Sequence, residues 1–383
     1  MLLQLIGYAN ENNIILELNE KNKEGVYLLL IATFLNNVVM VKLLINYANK
    51  NEIILKLNEK DKNGYYPLLK ATKHNNIEMV QLLIDYPTEN KIILDINEKQ
   101  KYGWYPLLLA SRNSNIEMVK LLIGYANENN IILELNEKNK EGVYPLFVAT
   151  LMNNTKMVKL LINYANENNI ILELNEKNKG VYPLLSATCM NNIEIVKLLI
   201  EYANEKNIIL ELNEKQKYGW YPLLRAISKK NIILVKLLIG YANENNIILE
   251  LNEKNNNREN SLLCAIRTNN IEIFQLLIGY ANQNGIILNL NEKDKNGINS
   301  IFWSMNHNNP EMFKLLLEYS LETGLKLIID ENNIKELISK NYDFVNLKNV
   351  SDISNEFIEF IHLNKNQNMI EVIFSENSFI NLK

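Results

Sequence analysis

Cysteine is nearly absent from this chain: Cys189 and Cys264 are the two among 383 residues. That excludes a disulfide framework and fits a reducing compartment. Histidine is as scarce. His74, His307 and His362 are the three, and none has a Cys, His or carboxylate partner at metal-ligand spacing, so no metal site is expected. No apolar run approaches the ~20 residues that a membrane helix needs. The opening MLLQLIGYANENN lacks a basic segment, a full apolar stretch and a small-residue cleavage site. The expectation is a cytoplasmic chain without membrane insertion. Acids and bases are interspersed and the net charge is −4, so no basic stripe for nucleic acid is present. P-loop, GxGxxG, GxSxG and HExxH motifs are missing. The sequence therefore gives no support to catalysis, a cofactor or a small-molecule substrate.

What is present is repetition. The stretch YANENNIILELNEKNKEGVYPL at 125–146 returns at 164–184 one residue shorter. The tyrosine of YAN marks the register at Tyr8, Tyr47, Tyr86, Tyr125, Tyr164, Tyr202, Tyr241, Tyr280 and Tyr319. The interval is 39 residues, with one of 38 where a residue is missing before Gly180. A fixed period in this range means a solenoid or array, here read as one elongated domain rather than two globular ones. With 47% hydrophobic and 22% charged residues, the copies can bury a core together. Asparagine abundance is read as compositional bias, and the recurring Asn-Glu-Lys triplet as turn chemistry on a solvated face.

Each unit reads as two helices and an extended finger. In YPLLLA (105–110) the proline suits a first helical position, because it has no N–H to leave unsatisfied. The short helix runs to an Asn pair such as Asn75-Asn76. The first Asn can end one helix in the left-handed conformation and the second can cap the next. The second helix, NIEMVKLLIGYANENN (115–130), places Ile116, Val119, Leu122, Ile123 and Ala126 along one face. IILELNEK then looks extended, and DKNG (61–64) makes a glycine turn.

DKNGYYPLLKA at 61–71 and NIEMVQLLI at 76–84 resemble the hairpin turn, TPLHxA helix start and second helix of the ankyrin repeat. The resemblance covers eight helix pairs, from about residue 22 to 319. It implies an all-α, ankyrin-like solenoid of stacked helix-turn-helix units with extended β-hairpin-like fingers. Tyr or Asn stands in for the motif Thr, and Leu69 or Phe147 for the motif His. Apolar packing is therefore expected where the family has Thr–His hydrogen bonds. The extra residues of the long period are placed at the end of the second helix, in YANENNII. Residues 1–331 are read as the array, beginning with an orphan helix, and 332–383 as a degenerate C-terminal capping repeat. Repeat seven has Arg258 at the turn glycine and Ser261 at the proline, so its finger is expected to be strained or rearranged.

If the copies are scaffold, function lies where they differ. One variable column follows the turn glycine: Val26, Tyr65, Trp104, Val143, Val181, Trp220, Glu259 and Ile298. Another is the pair late in the first helix, including Phe34-Leu35, Lys73-His74, Arg112-Asn113, Leu151-Met152 and Arg267-Thr268. The resemblance implies that such positions line a concave face where protein partners bind. Trp, Tyr and Arg are enriched in binding hot spots. The expected contact residues are Tyr65, Lys73, His74, Trp104, Arg112, Val143, Leu151, Met152, Trp220 and Arg267. Trp104 and Trp220 are expected to face the same way, on the order of 30 Å apart. The resulting expectation is a non-catalytic scaffold for an unidentified protein partner. The alternative is a spacer or elastic segment of a larger repeat protein.

Overall fold

The structure, a computed structural model, describes residues 2–307, 309–325, 327–330 and 370–373. Among these, a first helix α1 (Leu2–Glu11) is followed by eight helix pairs. The pairs are α2 (Leu28–Phe34) and α3 (Val38–Lys50), α4 (Pro67–Lys73) and α5 (Ile77–Asn90), α6 (Pro106–Arg112) and α7 (Ile116–Glu128), and α8 (Pro145–Leu151) and α9 (Thr155–Glu167). They continue as α10 (Pro183–Cys189) and α11 (Ile193–Lys206), α12 (Pro222–Ser228) and α13 (Ile232–Glu244), α14 (Ser261–Arg267) and α15 (Ile271–Gln283), and α16 (Ser300–Asn306) and α17 (Pro310–Thr323). Strand β1 (Leu327–Asp330) pairs in parallel with β2 (Ile370–Ile373), Leu327 opposite Ile370. Apart from β2, the expected capping repeat at 332–383 lies outside the described residues.

The contacts divide the chain into two compact units. One comprises Met1–Asn178, Tyr182–Met190 and Leu198–Ile208; the other comprises Lys179–Val181, Asn191–Lys197 and Ile209–Lys383. Within each unit, helices are stacked pair on pair.

The seven-residue first helices are too short to stand alone. Burial holds them. In α6 the side chains Leu107, Leu108, Leu109 and Ala110 are buried, and α7 contributes Met118, Val119, Leu122, Tyr125 and Ala126. The Asn pair works as its chemistry suggests. Asn75 is left-handed at φ 56°, and Asn76 accepts the Met79 N–H at 2.9 Å. Asn76 also donates back to Asn36 at 2.8 Å, tying adjacent repeats. Helix α7 ends in the same way at Asn130, φ 55°, with Ile131 N donating to Ala126 O at 2.8 Å. The long period is thus absorbed by a second helix that runs through YANE.

Three ladders join the repeats, and two of them depart from the expected roles. The first uses the register tyrosine: Tyr125 Oη accepts the buried Leu94 N–H at 2.7 Å, and Tyr280 does the same for Leu249 at 3.0 Å. The second corrects the expected apolar substitute for Thr–His pairing. The tyrosine at the motif Thr position reaches into the next finger, so that Tyr105 Oη lies 2.8 Å from Glu134 O and 2.9 Å from Glu137 O. A phenol is long enough to span the gap that Thr bridges through His. The third gives the asparagine of the Asn-Glu-Lys triplet a role beyond its own turn. Asn97 Nδ2 donates to Ile132 O at 2.7 Å, and Asn97 Oδ1 accepts from Glu134 N at 3.2 Å. One side-chain amide thereby pairs with the extended backbone that has no strand partner. Asn58 and Asn252 repeat the pattern. The Lys of the triplet pairs with the Glu of the next, as in Lys60–Glu98, Lys99–Glu137 and Lys215–Glu253. These pairs are solvent-accessible and contribute about 0–1 kcal/mol each.

The fingers are tight turns. Asp61 N donates to Tyr65 O at 2.9 Å, and Asp61 Oδ1 accepts from Asn63 N and Tyr65 N, both at 2.8 Å. Repeat seven keeps this turn. Arg258 takes φ 60°, Asn255 Oδ1 accepts from Asn257 N at 2.8 Å and Glu259 N at 3.1 Å, and Asn260 caps α14 through Leu263 N. The finger carries the cost of a left-handed arginine without being rearranged. The new Asn260 cap supplies the helix start that proline provides elsewhere.

Candidate partner-binding face

In three repeats the residue after the turn glycine lies against a cation of the following first helix. In the first unit the Tyr65 ring carries two cations. Lys70 Nζ is 3.6 Å and Lys73 Nζ 5.0 Å from its centroid, and Lys73 also donates to Tyr65 Oη at 3.2 Å. Lys70 and Lys73 are three apart in α4, hence neighbours on one helix face. Lys70 sits 4.2 Å from the Phe34 ring as well and is only 5% exposed. Burial, followed by the neighbouring Lys73 charge, pushes its pKa down, and Asp61 opposes the shift.

The next repeat places the Arg112 guanidinium 4.7 Å from the Trp104 ring centroid. Trp104 and Val143 are half-buried and Arg112 is exposed. Leu151 and Met152 are 42% and 51% exposed. His74 is exposed and turns toward the previous repeat, its Nε2 3.0 Å from Phe34 O. Its position is accounted for by the stack.

In the second unit Trp220 is half-buried beneath Arg225, 4.3 Å from its ring centroid. Arg267, named from its column, is committed internally. It forms an ion pair with the buried Glu259 and lies 3.6 Å from Cys264 Sγ through Nη2. Asn255 Nδ2 supports Glu259 at 2.9 Å. His307 stacks on Trp303, with centroids 5.6 Å apart, and its Nε2 lies 2.8 Å from Arg267 O.

Sequence reasoning missed a third variable column on this face. The fourth residue of the first helix is Ile31, Lys70, Leu109, Val148, Ser186, Arg225, Cys264 or Trp303. Its signal was variation at fixed register, obscured because the neighbouring Leu and Ala are core. Lys70 and Arg225 are the residues that lie over Tyr65 and Trp220.

Cys264 is fully buried, and burial pushes its thiol up to about 12, with Glu259 adding to the rise and Arg267 opposing it. In a Cys189→Ser variant the remaining thiol is expected to resist Ellman's reagent at mildly alkaline pH until denaturant opens the fold, since the thiolate is the reactive form. Rapid titration of the native variant would contradict this burial.

Against this geometry, a family model described as ankyrin repeats (3 copies) matches residues 2–93, 49–132, 90–171 and 126–209. The chain belongs to the ankyrin-repeat family. Among solved structures, the ankyrin repeat domain of Bcl-3, described as a unique member of the IkappaB protein family, is similar at 20% identity. The TM-score is 0.46 over 67% of this chain and 100% of that one. None of the curated proteins compared matches the chain. Ankyrin repeats are generally protein-interaction modules, and their fold is typically a scaffold rather than an enzyme. Among the described residues, no helix of this ankyrin-repeat chain is long and apolar enough to cross a membrane.

Proposed function

We propose that this chain is a non-catalytic scaffold that binds a protein partner along the face formed by its fingers and first helices. The observation that carries the reading is the Trp104–Arg112 pair, an aromatic ring and a guanidinium held against each other at 4.7 Å beside exposed Leu151 and Met152. Large amphipathic side chains already fixed by their neighbours lose little entropy on binding. Aromatic and Arg residues of this kind dominate interface energies.

The test uses a peptide selected from a display library on the intact chain. Trp104→Ala is expected to weaken that peptide by about 2 kcal/mol, roughly thirtyfold, with the melting temperature barely changed. Undiminished affinity would remove Trp104 from the site. A collapsed melt would instead assign it to the stack. A chain serving only as a spacer would yield no peptide whose affinity depends on this face.

A further inference from the structure

We infer that the face of the first unit takes an extended acidic segment of a protein partner, with carboxylates over Lys73 and Arg112 and apolar side chains over Leu151 and Met152. The inference rests on the binding face proposed above and adds the chemistry of what fills it.

Several lysines elsewhere in this unit are neutralised by glutamate. Lys21, Lys60, Lys99 and Lys138 each meet the glutamate one repeat on, and Lys42 meets Glu78 at 2.6 Å. Glutamate is plentiful and regularly spaced. Yet among the described residues Lys70, Lys73 and Arg112 form no ion pair with a carboxylate and rest on aromatic rings instead. Asp61, the nearby acid, has Oδ1 committed to two backbone N–H groups of its own turn.

An aromatic ring holds a cation in place without neutralising it. Lys70 is also largely stripped of water, between the rings of Phe34 and Tyr65. A carboxylate arriving at the exposed Lys73 or Arg112 would meet donors oriented by the rings they rest on, and charge-assisted hydrogen bonds are the strong ones.

The apolar end of the face follows from the stack. From α4 to α8 is two helix layers of ~10 Å each, so Leu151 lies on the order of 20 Å from Lys73. An extended chain rises ~3.3 Å per residue, which separates the acidic and apolar parts of the partner by about six residues. Met190, 44% exposed at the end of α10, lengthens the apolar end. Single-stranded nucleic acid also suits cations on aromatic rings, but its phosphates continue along the strand, and Leu151, Met152 and Met190 offer them nothing. That difference favours a peptide.

The experiment is selection of a random peptide library on the full chain, followed by titration of a synthetic selected peptide. Enrichment of Asp or Glu in one block and of Leu, Met or Phe about six residues away is expected from the geometry above. The double charge reversal Lys73→Glu with Arg112→Glu changes two exposed residues and should leave the melt unchanged. It is expected to weaken the selected peptide at least about tenfold, and replacing the peptide's acids by Lys should recover binding. Selected peptides that are neutral or basic, affinity indifferent to the reversal, or tighter binding of a single-stranded oligonucleotide would each overturn the inference. The two readings fail separately. If peptides lacking acids still lose affinity in Trp104→Ala, the face stands and its acidic preference falls. If neither variant matters, or no sequence is enriched, both fall.

Discussion

Gly103→Ala is expected to destabilise the first unit by about 3 kcal/mol, several times the effect of the same change at Gly142. Both glycines sit in the left-handed region, at φ +82° and +75°. Each alanine therefore incurs a backbone cost of about 1 kcal/mol. The difference lies in what the new methyl meets. At Gly103 a Cβ would fall 2.7 Å from Asn139 Cα and 3.1 Å from Lys140 N, both backbone atoms of the next finger. At Gly142 the nearest atom is the Asn178 side-chain amide, 3.3 Å away and able to move. Relieving the clash at Gly103 pushes the fingers apart and strains the bond from Lys140 N to Tyr102 O, now 3.0 Å. Urea unfolding of the two variants side by side measures the difference. Equal losses would show that the fingers are not in firm contact.

The second large effect is expected from removing one oxygen. Tyr125→Phe keeps the buried ring but takes away the acceptor for the Leu94 N–H, 2.7 Å distant and buried. An orphaned buried donor costs about 1–3 kcal/mol. Tyr102→Phe, at a residue 56% exposed, is the control and should change nothing measurable. The Leu94 amide itself should lose hydrogen-exchange protection in Tyr125→Phe and keep it in the control. If the variants melt together, the ladder is geometry without energy.

Alkali reads both tyrosine ladders. Burial raises the phenol pKa of Tyr66, Tyr105, Tyr125, Tyr164, Tyr241 and Tyr280 above the usual value. The folded state then holds protons that the unfolded state releases. These tyrosines contribute their full stability below the unfolded phenol pKa of about 10, and lose it as pH rises past that value. Cooperative unfolding is expected there, with tyrosinate absorbance appearing together with loss of helix. Smooth titration of the phenols within an intact fold would contradict it.

Much of this architecture could be read from the chain. The period placed every helix pair. Proline at the first helical position and the Asn pair marked where helices start and stop, because these are local preferences of single residues and their near neighbours. The variable columns at Trp104 and Arg112 also stood out, since comparing copies within one chain needs no coordinates. What went unread involves partners that only the fold brings together. Asn97 looks like any turn asparagine until Ile132 and Glu134 are brought beside it. Lys70 lies in a run of core residues, and only the placement of Phe34 and Tyr65 shows it as a cation between rings. Arg267 looked free in its column and is bound by Glu259.

The sequence by itself thus determined the unit, its helices and caps, the stacking of copies, and the absence of a recognisable catalytic motif. These follow from periodicity and local backbone chemistry, both written in consecutive residues. Tertiary structure decided how one copy is fastened to the next and which variable residues remain available. The fastening depends on contacts between residues some 29–41 positions apart, and availability on which side chains the fold sets against each other. Contact at that separation is set by the stack as a whole: a tyrosine hydroxyl becomes a backbone acceptor only when the neighbouring repeat delivers an N–H to it.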